Sequence, residues 1–381
     1  MKRALKITSL VAGALLLLLL AAELLASFTP SGNAAPYVED PVMLCVRKPD
    51  TEGYSWGNGR WIACHINKQG LRGEDLPVPR DPAESWVLCV GDSFTFGGGV
   101  ETAEAWPQQM QGLLGAPEQS GVRVLNGGAN GWSTHWQRVW LEQRALDEFD
   151  PDVVVLGWNW NDLNGAEGGP DDALKGFIHA EGTWLQPFAQ FELLRESHLF
   201  RWFFSRRISS GDERPTDAQL RKRLQNYKAT MDRIAVEPET KLLPVRARLF
   251  GDGPTDEEFW RSTDTQAWKA AREELGRMRD LCAARGAVFV VAMLPEPSWF
   301  GTGTYPGVAR LGSMLDALGV PWVDLMPAFM GHGPDGSPQG RDPDLWLRYD
   351  PVHPTPEGQA LFAEAVARLL REKDLLAPRS R

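Results

Sequence analysis

The chain lacks the features that mark several common classes of protein. It has no excess of positive charge: 40 Lys and Arg stand against 50 Asp and Glu, which gives a formal net charge of -10. A nucleic-acid partner is therefore not expected, because affinity for phosphates depends on Lys and Arg. The chain also has no internal repeat, and its low-complexity sequence is confined to a run of leucines near the N-terminus.

Signatures of metal and phosphate binding are also missing. With 4 cysteines and 6 histidines, the chain shows no paired Cys or His spacing of the kind that zinc sites use. The glycines at 97–99 lack the Gly-Lys-Ser/Thr ending that places a lysine on phosphates. We therefore expect no metal and no cofactor. Histidines without a partner motif are interpreted as structural or surface residues; they are His135, His179, His198 and His332.

The few cysteines fall into two groups. Cys45 and Cys64 lie close together in a polar segment that contains Gly and Trp, and in an oxidising compartment such a pair favours a disulfide. Cys89 lies in an apolar run and Cys282 in a helical pattern. These last two are predicted to be buried thiols of the core.

A long apolar run follows three basic residues at the N-terminus. Lys2, Arg3 and Lys6 precede a stretch over 7–28 that is close to the ~20 residues a membrane-spanning helix needs. The next basic residue is Arg47, so the N-terminus is predicted to lie inside and the rest of the chain outside. Residues 1–28 are predicted to be an uncleaved membrane anchor, with a cleaved signal peptide as the alternative. Both interpretations export the chain to the periplasm or the extracellular space.

Short apolar runs alternate with helical patterns over most of the chain. The runs at 86–90, 122–126, 153–156, 287–294 and 321–324 have the continuous hydrophobicity of strands buried on both faces. Helical patterns lie between them, at 105–114, 136–149 and 265–285. This alternation predicts an α/β fold: a doubly wound, flavodoxin-like sheet of five parallel strands with flanking helices.

Two segments do not follow the alternation. Residues 29–84 are rich in Pro, Gly and Trp and are predicted to form an irregular N-terminal extension. Residues 166–264 form a long insertion, predicted to be a helical lid or subdomain beside the site. The main domain is then expected to span 85–381 and to include this insertion.

Ser93 is the residue that most clearly suggests chemistry. It follows the first apolar run and precedes three glycines, which places a hydroxyl at the carboxyl end of a strand, where open parallel sheets bind ligands. An alcohol is a weak nucleophile and needs a base. His353 is the predicted general base and acid, and Asp350, three residues earlier, would orient its ring. Asp92 is interpreted as a hydrogen-bonding residue of the turn.

Four short blocks in this chain resemble those of the SGNH hydrolase family, also called the GDSL lipase/esterase family. The blocks are Gly91-Asp92-Ser93, Asn126-Gly127-Gly128-Ala129-Asn130-Gly131, Asn159-Trp160-Asn161-Asp162 and Asp350-Pro351-Val352-His353. They occur in family order over roughly 85–370. The resemblance implies an oxyanion hole made of the Ser93 and Gly128 backbone N–H groups and the Asn161 side-chain amide.

The third block departs from the family pattern. Asn159 stands where the family has a glycine, which leaves Asn159 as an alternative donor to Asn161. The neighbouring Trp158 and Trp160 are interpreted either as core residues or as pocket residues. In the pocket they would narrow the space for substrate or offer a surface on which a sugar ring can stack. A further segment, over 67–73, resembles one that precedes the nucleophile block in exported bacterial members, and its role is not readable from spacing.

The sequence thus predicts an exported serine hydrolase that cleaves an acyl or acetyl ester through an acyl-enzyme on Ser93. Its expected partners are an acyl-ester substrate, such as an envelope glycan or lipid, and the membrane through the N-terminal helix. One alternative is an O-acyltransferase, in which a sugar hydroxyl of an envelope glycan replaces water. A second alternative is a catalytically silent glycan-binding protein.

Overall fold

The computed structural model describes residues 2–27, 37–40, 43–57, 60–163, 199, 266–295, 306–332, 338–347 and 353–378. The chain begins with helix α1 (Lys2–Ser27), whose leucines at 15–20 are more than half exposed. Within the described residues, no helix has the length and apolar character needed to cross a membrane. The transmembrane helix predicted for 1–28 is therefore not borne out.

The extension over 29–84 is more regular than predicted. Strand β1 (Tyr37–Asp40) pairs with β2 (Leu44–Arg47), and β3 (Thr51–Gly57) pairs with β4 (Arg60–Ile66), both antiparallel. The sequence concealed these pairs because β1 and β2 have only four residues each, and because β3 carries two glycines, which are depleted in strands.

Three of the cysteines, Cys64, Cys89 and Cys282, are free thiols in the structure. Cys64 lies in β4 and is buried in an apolar cluster with Ile66 and Phe96, so the predicted disulfide with Cys45 is wrong. Cys89 and Cys282 are buried free thiols, as predicted. Burial raises the pKa of both, that of Cys282 to about 12.

The central sheet confirms the predicted fold class. Its strands are β5 (Ser85–Gly91), β6 (Val122–Gly128), β7 (Val153–Trp158), β8 (Val288–Met293) and β9 (Trp322–Asp324). They are all parallel, in the spatial order β6-β5-β7-β8-β9, which is the predicted doubly wound arrangement. Every residue of β5 and of β7 is buried, which explains why these strands read as continuous apolar runs.

Helices flank this sheet, and the helical patterns predicted at 105–114, 136–149 and 265–285 agree with the observed helices within one or two residues. They are α2 (Ser93–Phe96), α3 (Trp106–Leu114), α4 (Pro117–Ser120), α5 (Thr134–Trp140), α6 (Leu146–Phe149), α7 (Gln266–Ala284), α8 (Pro306–Leu318) and α9 (Pro356–Glu372). A π-turn, Leu141–Ala145, joins α5 to α6, and a short strand pair, β10 (Met330–His332) with β11 (Pro338–Arg341), follows β9. Apart from Leu199, the predicted insertion at 166–264 lies outside the described residues.

One ion network ties α5 to α7. Glu274 of α7 is buried and accepts from His135 Nδ1 at 2.9 Å and from the Arg138 guanidinium of α5. A histidine paired in this way holds two helices together, and this confirms the structural role predicted for His135.

Candidate active site

Ser93, the predicted nucleophile, stands at the start of a very short helix. Strand β5 ends at Gly91, and the buried side chain of Asp92 caps α2 by accepting from the Phe94 N–H at 2.9 Å. Ser93 is the first residue of α2 and is half-buried. The helix ends at Gly97, which has φ +87, and the Gly97 N–H donates to the Ser93 carbonyl at 3.0 Å. The predicted turn role of Asp92 is confirmed.

Three glycines let α2 rest directly on the ends of the strands. Gly91 pairs in register with Gly128 on one side and with Gly157 on the other. A Cβ at Gly91 or Gly157 would lie 2.1 or 2.3 Å from Thr95 Oγ1, and a Cβ at Gly128 would lie 2.2 Å from the backbone nitrogen of Phe96. The absence of side chains here therefore fixes how close Ser93 comes to the sheet.

His353 comes from the other end of the domain and meets Ser93. Its Nε2 lies 2.7 Å from Ser93 Oγ, a hydrogen-bond distance, and its ring lies 5.3 Å from the Phe94 ring. The turn that carries it is held by the Leu347 N–H, which donates to the His353 carbonyl at 2.9 Å. Thr355 then caps α9 by accepting from the backbone N–H of Gly358.

A buried glutamine that the sequence did not single out joins α9, which follows His353, to α2, which carries Ser93. Gln359, in the first turns of α9, is fully buried, and its Oε1 accepts from the Trp106 N–H at 2.9 Å. Its Nε2 reaches the Phe94 carbonyl at 3.5 Å. Its partners are backbone atoms far away in sequence, and such contacts leave no motif to recognise.

The other predicted members of the site are only partly described. Asp350 lies outside the described residues, so its role in orienting His353 stays a prediction. Asn161 lies in a 3-10 turn, Trp160–Leu163, directly after β7, and its side-chain role in the oxyanion hole also stays a prediction.

Gly128 does not present a free donor. Its N–H donates to Asn126 Oδ1 at 3.1 Å, and its Cα packs on the backbone of α2. An N–H that already donates to a side-chain amide is not available to an oxyanion, so the geometry gives Gly128 a packing role in place of the predicted one. Further along the same loop, Gly131 has φ +76, and its N–H makes no hydrogen bond with any described residue.

Asn159 and Trp158 belong to the core of the domain. Asn159 is fully buried, and its amide nitrogen lies 3.4 Å from the carbonyls of both Leu294 and Pro295, beyond the end of β8. Trp158 is 1% exposed and stacks on Trp268, with ring centroids 6.3 Å apart. For Trp158, the structure therefore favours the core interpretation over the pocket interpretation.

Two buried carboxyl groups, those of Asp162 and of Asp92 next to Ser93 in the chain, are close enough to interact electrostatically. Asp162 is buried, and it accepts from Gln137 Nε2 at 2.6 Å and from the Asn159 N–H at 2.7 Å. Burial, and then the charge of buried Asp92, raise the pKa of Asp162 well above its usual range. A raised pKa means that the folded state binds this proton more tightly than the unfolded chain does, in which Asp titrates near ~3.9.

This raised pKa predicts a loss of stability as pH rises. The folded state binds more protons than the unfolded state above pH ~4, so the free energy of unfolding falls as pH climbs toward the folded-state pKa of Asp162. Asp162→Asn removes this titration and is expected to flatten the dependence. Thermal unfolding between about pH 5 and pH 8 measures the pH dependence of stability, and Asp280→Asn, at an exposed position, is the control. Parallel profiles for Asp162→Asn and wild type would contradict the assignment.

The arrangement supports nucleophilic chemistry by the serine. His353 Nε2 is placed to accept the Ser93 proton, and the first N–H groups of α2 have no partner within the helix. Among the described residues, no group of three or more His, Cys, Asp or Glu is placed to hold a metal ion.

Solved structures similar to this chain include three bacterial proteins. A lipolytic protein of the G-D-S-L family from Desulfitobacterium hafniense DCB-2 is 13% identical, with 75% of this chain and 100% of that chain covered and a TM-score of 0.38. The psychrotrophic esterase EstA from Pseudoalteromonas sp. is 12% identical, with 76% and 98% covered and a TM-score of 0.39. A GDSL-like lipase from Bacteroides thetaiotaomicron VPI-5482 is 12% identical, with 78% and 93% covered and a TM-score of 0.37.

No curated protein sequence matches the chain. The family model for GDSL-like lipases and acylhydrolases does match it, over residues 89–309. That match covers more than half of the chain and begins within the strand that leads to Ser93. The chain therefore belongs to the GDSL-like lipase/acylhydrolase family.

Proposed function

We propose that this serine esterase works through an acyl-enzyme on Ser93 and that it acts outside the cytoplasm on acyl or acetyl esters. The observation that carries the proposal is the 2.7 Å contact between Ser93 Oγ and His353 Nε2 at the carboxyl edge of the sheet. A hydroxyl held against an imidazole nitrogen is the arrangement that makes an alcohol a nucleophile.

The reaction proceeds in two halves. His353 Nε2 takes the proton from Ser93 Oγ as the oxygen attacks the ester carbonyl, and the imidazolium returns this proton to the departing alcohol. A water molecule then gives a proton to His353 as it attacks the acyl carbonyl. The bond from the acyl carbon to Ser93 Oγ breaks, and the imidazolium returns the proton to Ser93 Oγ, which releases the acid and restores the hydroxyl. Asp350 is proposed to hold the imidazole in the tautomer that leaves Nε2 free.

The negative oxygen of each tetrahedral intermediate needs fixed donors. We assign three groups to this role: the Ser93 N–H at the start of α2, the Gly131 N–H, which has no hydrogen-bond partner among the described residues, and the Asn161 amide. Gly131 replaces Gly128 because the Gly128 N–H already donates to Asn126.

A chromogenic acetyl ester tests the acyl-enzyme directly. With substrate in excess, rapid mixing is expected to release one equivalent of chromophore faster than the steady state. Intact-mass analysis of the quenched protein should then show one added acetyl group, and peptide mapping should place that group on Ser93. Steady turnover with the acetyl group on another residue would overturn the proposal, as would the absence of both turnover and labelling.

The same assay separates hydrolysis from transfer. If an added glycan acceptor speeds chromophore release and becomes acetylated, the protein is an O-acyltransferase, since a sugar hydroxyl then intercepts the acyl-enzyme in place of water. Glycan binding without any reaction of Ser93 would instead identify a catalytically silent binding protein.

Export rests on the N-terminal sequence. Lys2, Arg3 and Lys6 precede the leucine run, a pattern shared by signal peptides and signal anchors. Protease digestion of intact and of permeabilised spheroplasts tests this: digestion before permeabilisation is expected, and protection until permeabilisation would contradict it. The mass of the recovered protein shows whether the segment has been removed.

A further inference from the structure

A buried arginine from the N-terminal extension holds the turn that follows the nucleophile helix. Arg72 is 3% exposed. Its Nη1 donates to the carbonyls of Phe96 and Gly97, both at 2.6 Å, and its Nη2 donates to the Val100 carbonyl at 2.6 Å. One guanidinium thus binds three backbone oxygens of a single turn.

The position of Arg72 is itself fixed by the sheet. Its N–H donates to the Asn126 carbonyl on edge strand β6 at 3.1 Å, and it forms a second bridge to Ile66 of β4. The guanidinium also lies over the Phe96 ring, 4.7 Å from the centroid. Arg72 therefore fixes the position of the turn over 97–100 relative to strand β6.

The held turn is in contact with the base. A Cβ at Gly98 would lie 3.1 Å from both Cδ2 and Nε2 of His353, so the Gly98 backbone forms one wall of the imidazole site. A Cβ at Gly99 would lie 2.2 Å from Leu347 Cδ1, and Leu347 is the residue whose N–H holds the His353 carbonyl. Moving this turn would move or tilt the imidazole.

We infer that Arg72 is a positioning residue for the reaction: it holds the turn over 97–100 so that His353 Nε2 stays at Ser93 Oγ. The inference deepens the proposed function and rests on it, since it assigns a role at the same Ser93–His353 pair. Lysine does not substitute, because a single ammonium lacks the fork that reaches three carbonyls at fixed angles. A displacement of about 1 Å at the reacting atoms is enough to cost roughly 100-fold in rate.

A second arginine provides a matched control at the amino-terminal end of the strands of the same sheet, away from Ser93. Arg80 binds the Asp152 carboxylate, donates to the Glu84 carbonyl at 2.7 Å and lies over the Trp86 ring at 4.9 Å. Glu84 and Asp152 precede β5 and β7, so this cluster is at the amino ends of the strands. Arg80→Met removes a comparable cation and is expected to lower stability while leaving kcat within about threefold of wild type, since nothing at the reacting atoms moves.

Arg72→Met and Arg72→Lys test the inference in the full chain. We expect both variants to lose about 100-fold in kcat with KM nearly unchanged, and to lose a similar factor in the rate of labelling by a fluorophosphonate. Arg72→Ala is expected to regain part of its kcat with added methylguanidinium, whereas Arg80→Ala is not. If Arg72→Met fails to fold, the kcat of Arg72→Lys and the rescue of Arg72→Ala still test the inference.

The outcomes separate the two claims. A folded Arg72→Met or Arg72→Lys variant with kcat and labelling within threefold of wild type would overturn the positioning role. So would a loss no larger than that of Arg80→Met, or rescue of both alanine variants alike. A wild-type protein that resists the fluorophosphonate altogether would instead overturn the proposed function at Ser93.

Discussion

Replacing Ser93 with alanine is expected to lower kcat/KM for ester hydrolysis by about 10⁴-fold or more, and to abolish labelling by a fluorophosphonate. His353→Ala should reach a similar loss, because an alcohol without its base is a weak nucleophile. The double variant is expected to be no worse than either single variant, since the two side chains, 2.7 Å apart, act as one unit. Steady-state kinetics and gel-based labelling measure all three.

Matched controls separate this effect from damage to the fold. Ser313→Ala removes an exposed hydroxyl on α8, and His135→Ala removes the histidine that joins α5 to α7. We expect the first to behave as wild type and the second to unfold at a lower temperature while keeping its kcat. Activity within tenfold of wild type in Ser93→Ala would exclude Ser93 as the nucleophile.

Gly128→Ala is expected to have the second largest effect. The added methyl group would lie 2.2 Å from the Phe96 nitrogen and 2.6 Å from the Thr95 carbonyl carbon, and backbone atoms do not rotate out of the way. The overpacking is expected to cost about 1–3 kcal/mol of the free energy of unfolding. Because α2 carries Ser93 at its other end, we also expect a loss of about 100-fold in kcat.

Gly112→Ala makes the same chemical change with the opposite expected sign. Gly112 lies in α3, and nothing lies within 4 Å of its Cβ position, so alanine should stabilise the helix by up to about 1 kcal/mol. Thermal unfolding and kcat measured on both variants test the comparison. If Gly128→Ala matched wild type in both, the close contact between β6 and α2 would be contradicted.

The sequence predicts the sheet well because burial on both faces leaves a direct mark. The strand from Val153 onward is buried throughout, and a run of consecutive apolar residues marks it. The Ser93–His353 pair was also predictable, since the serine follows a strand and the histidine precedes a well-capped helix. Both signals are local in the chain.

Two of the errors, at Gly128 and at Cys64, have the same cause: a residue type does not reveal which atom of it is used. Gly128 was predicted to offer its N–H, whereas the structure uses its missing side chain and directs the N–H to Asn126. Cys64 was predicted to pair with Cys45, whereas β4 directs its thiol into an apolar cluster. The roles of Arg72 and Gln359 depend on backbone carbonyls and N–H groups of other segments, which a sequence pattern does not record.

The bond between Ser93 and His353 joins residues 260 positions apart. A pairing so distant in sequence forms late in folding, because the chain must be closed into a loop before any contact stabilises it. During synthesis the serine leaves the ribosome long before α9 exists. We therefore expect a nascent or C-terminally truncated chain to carry an ordinary alcohol at Ser93, and to gain esterase activity only when α9 has docked.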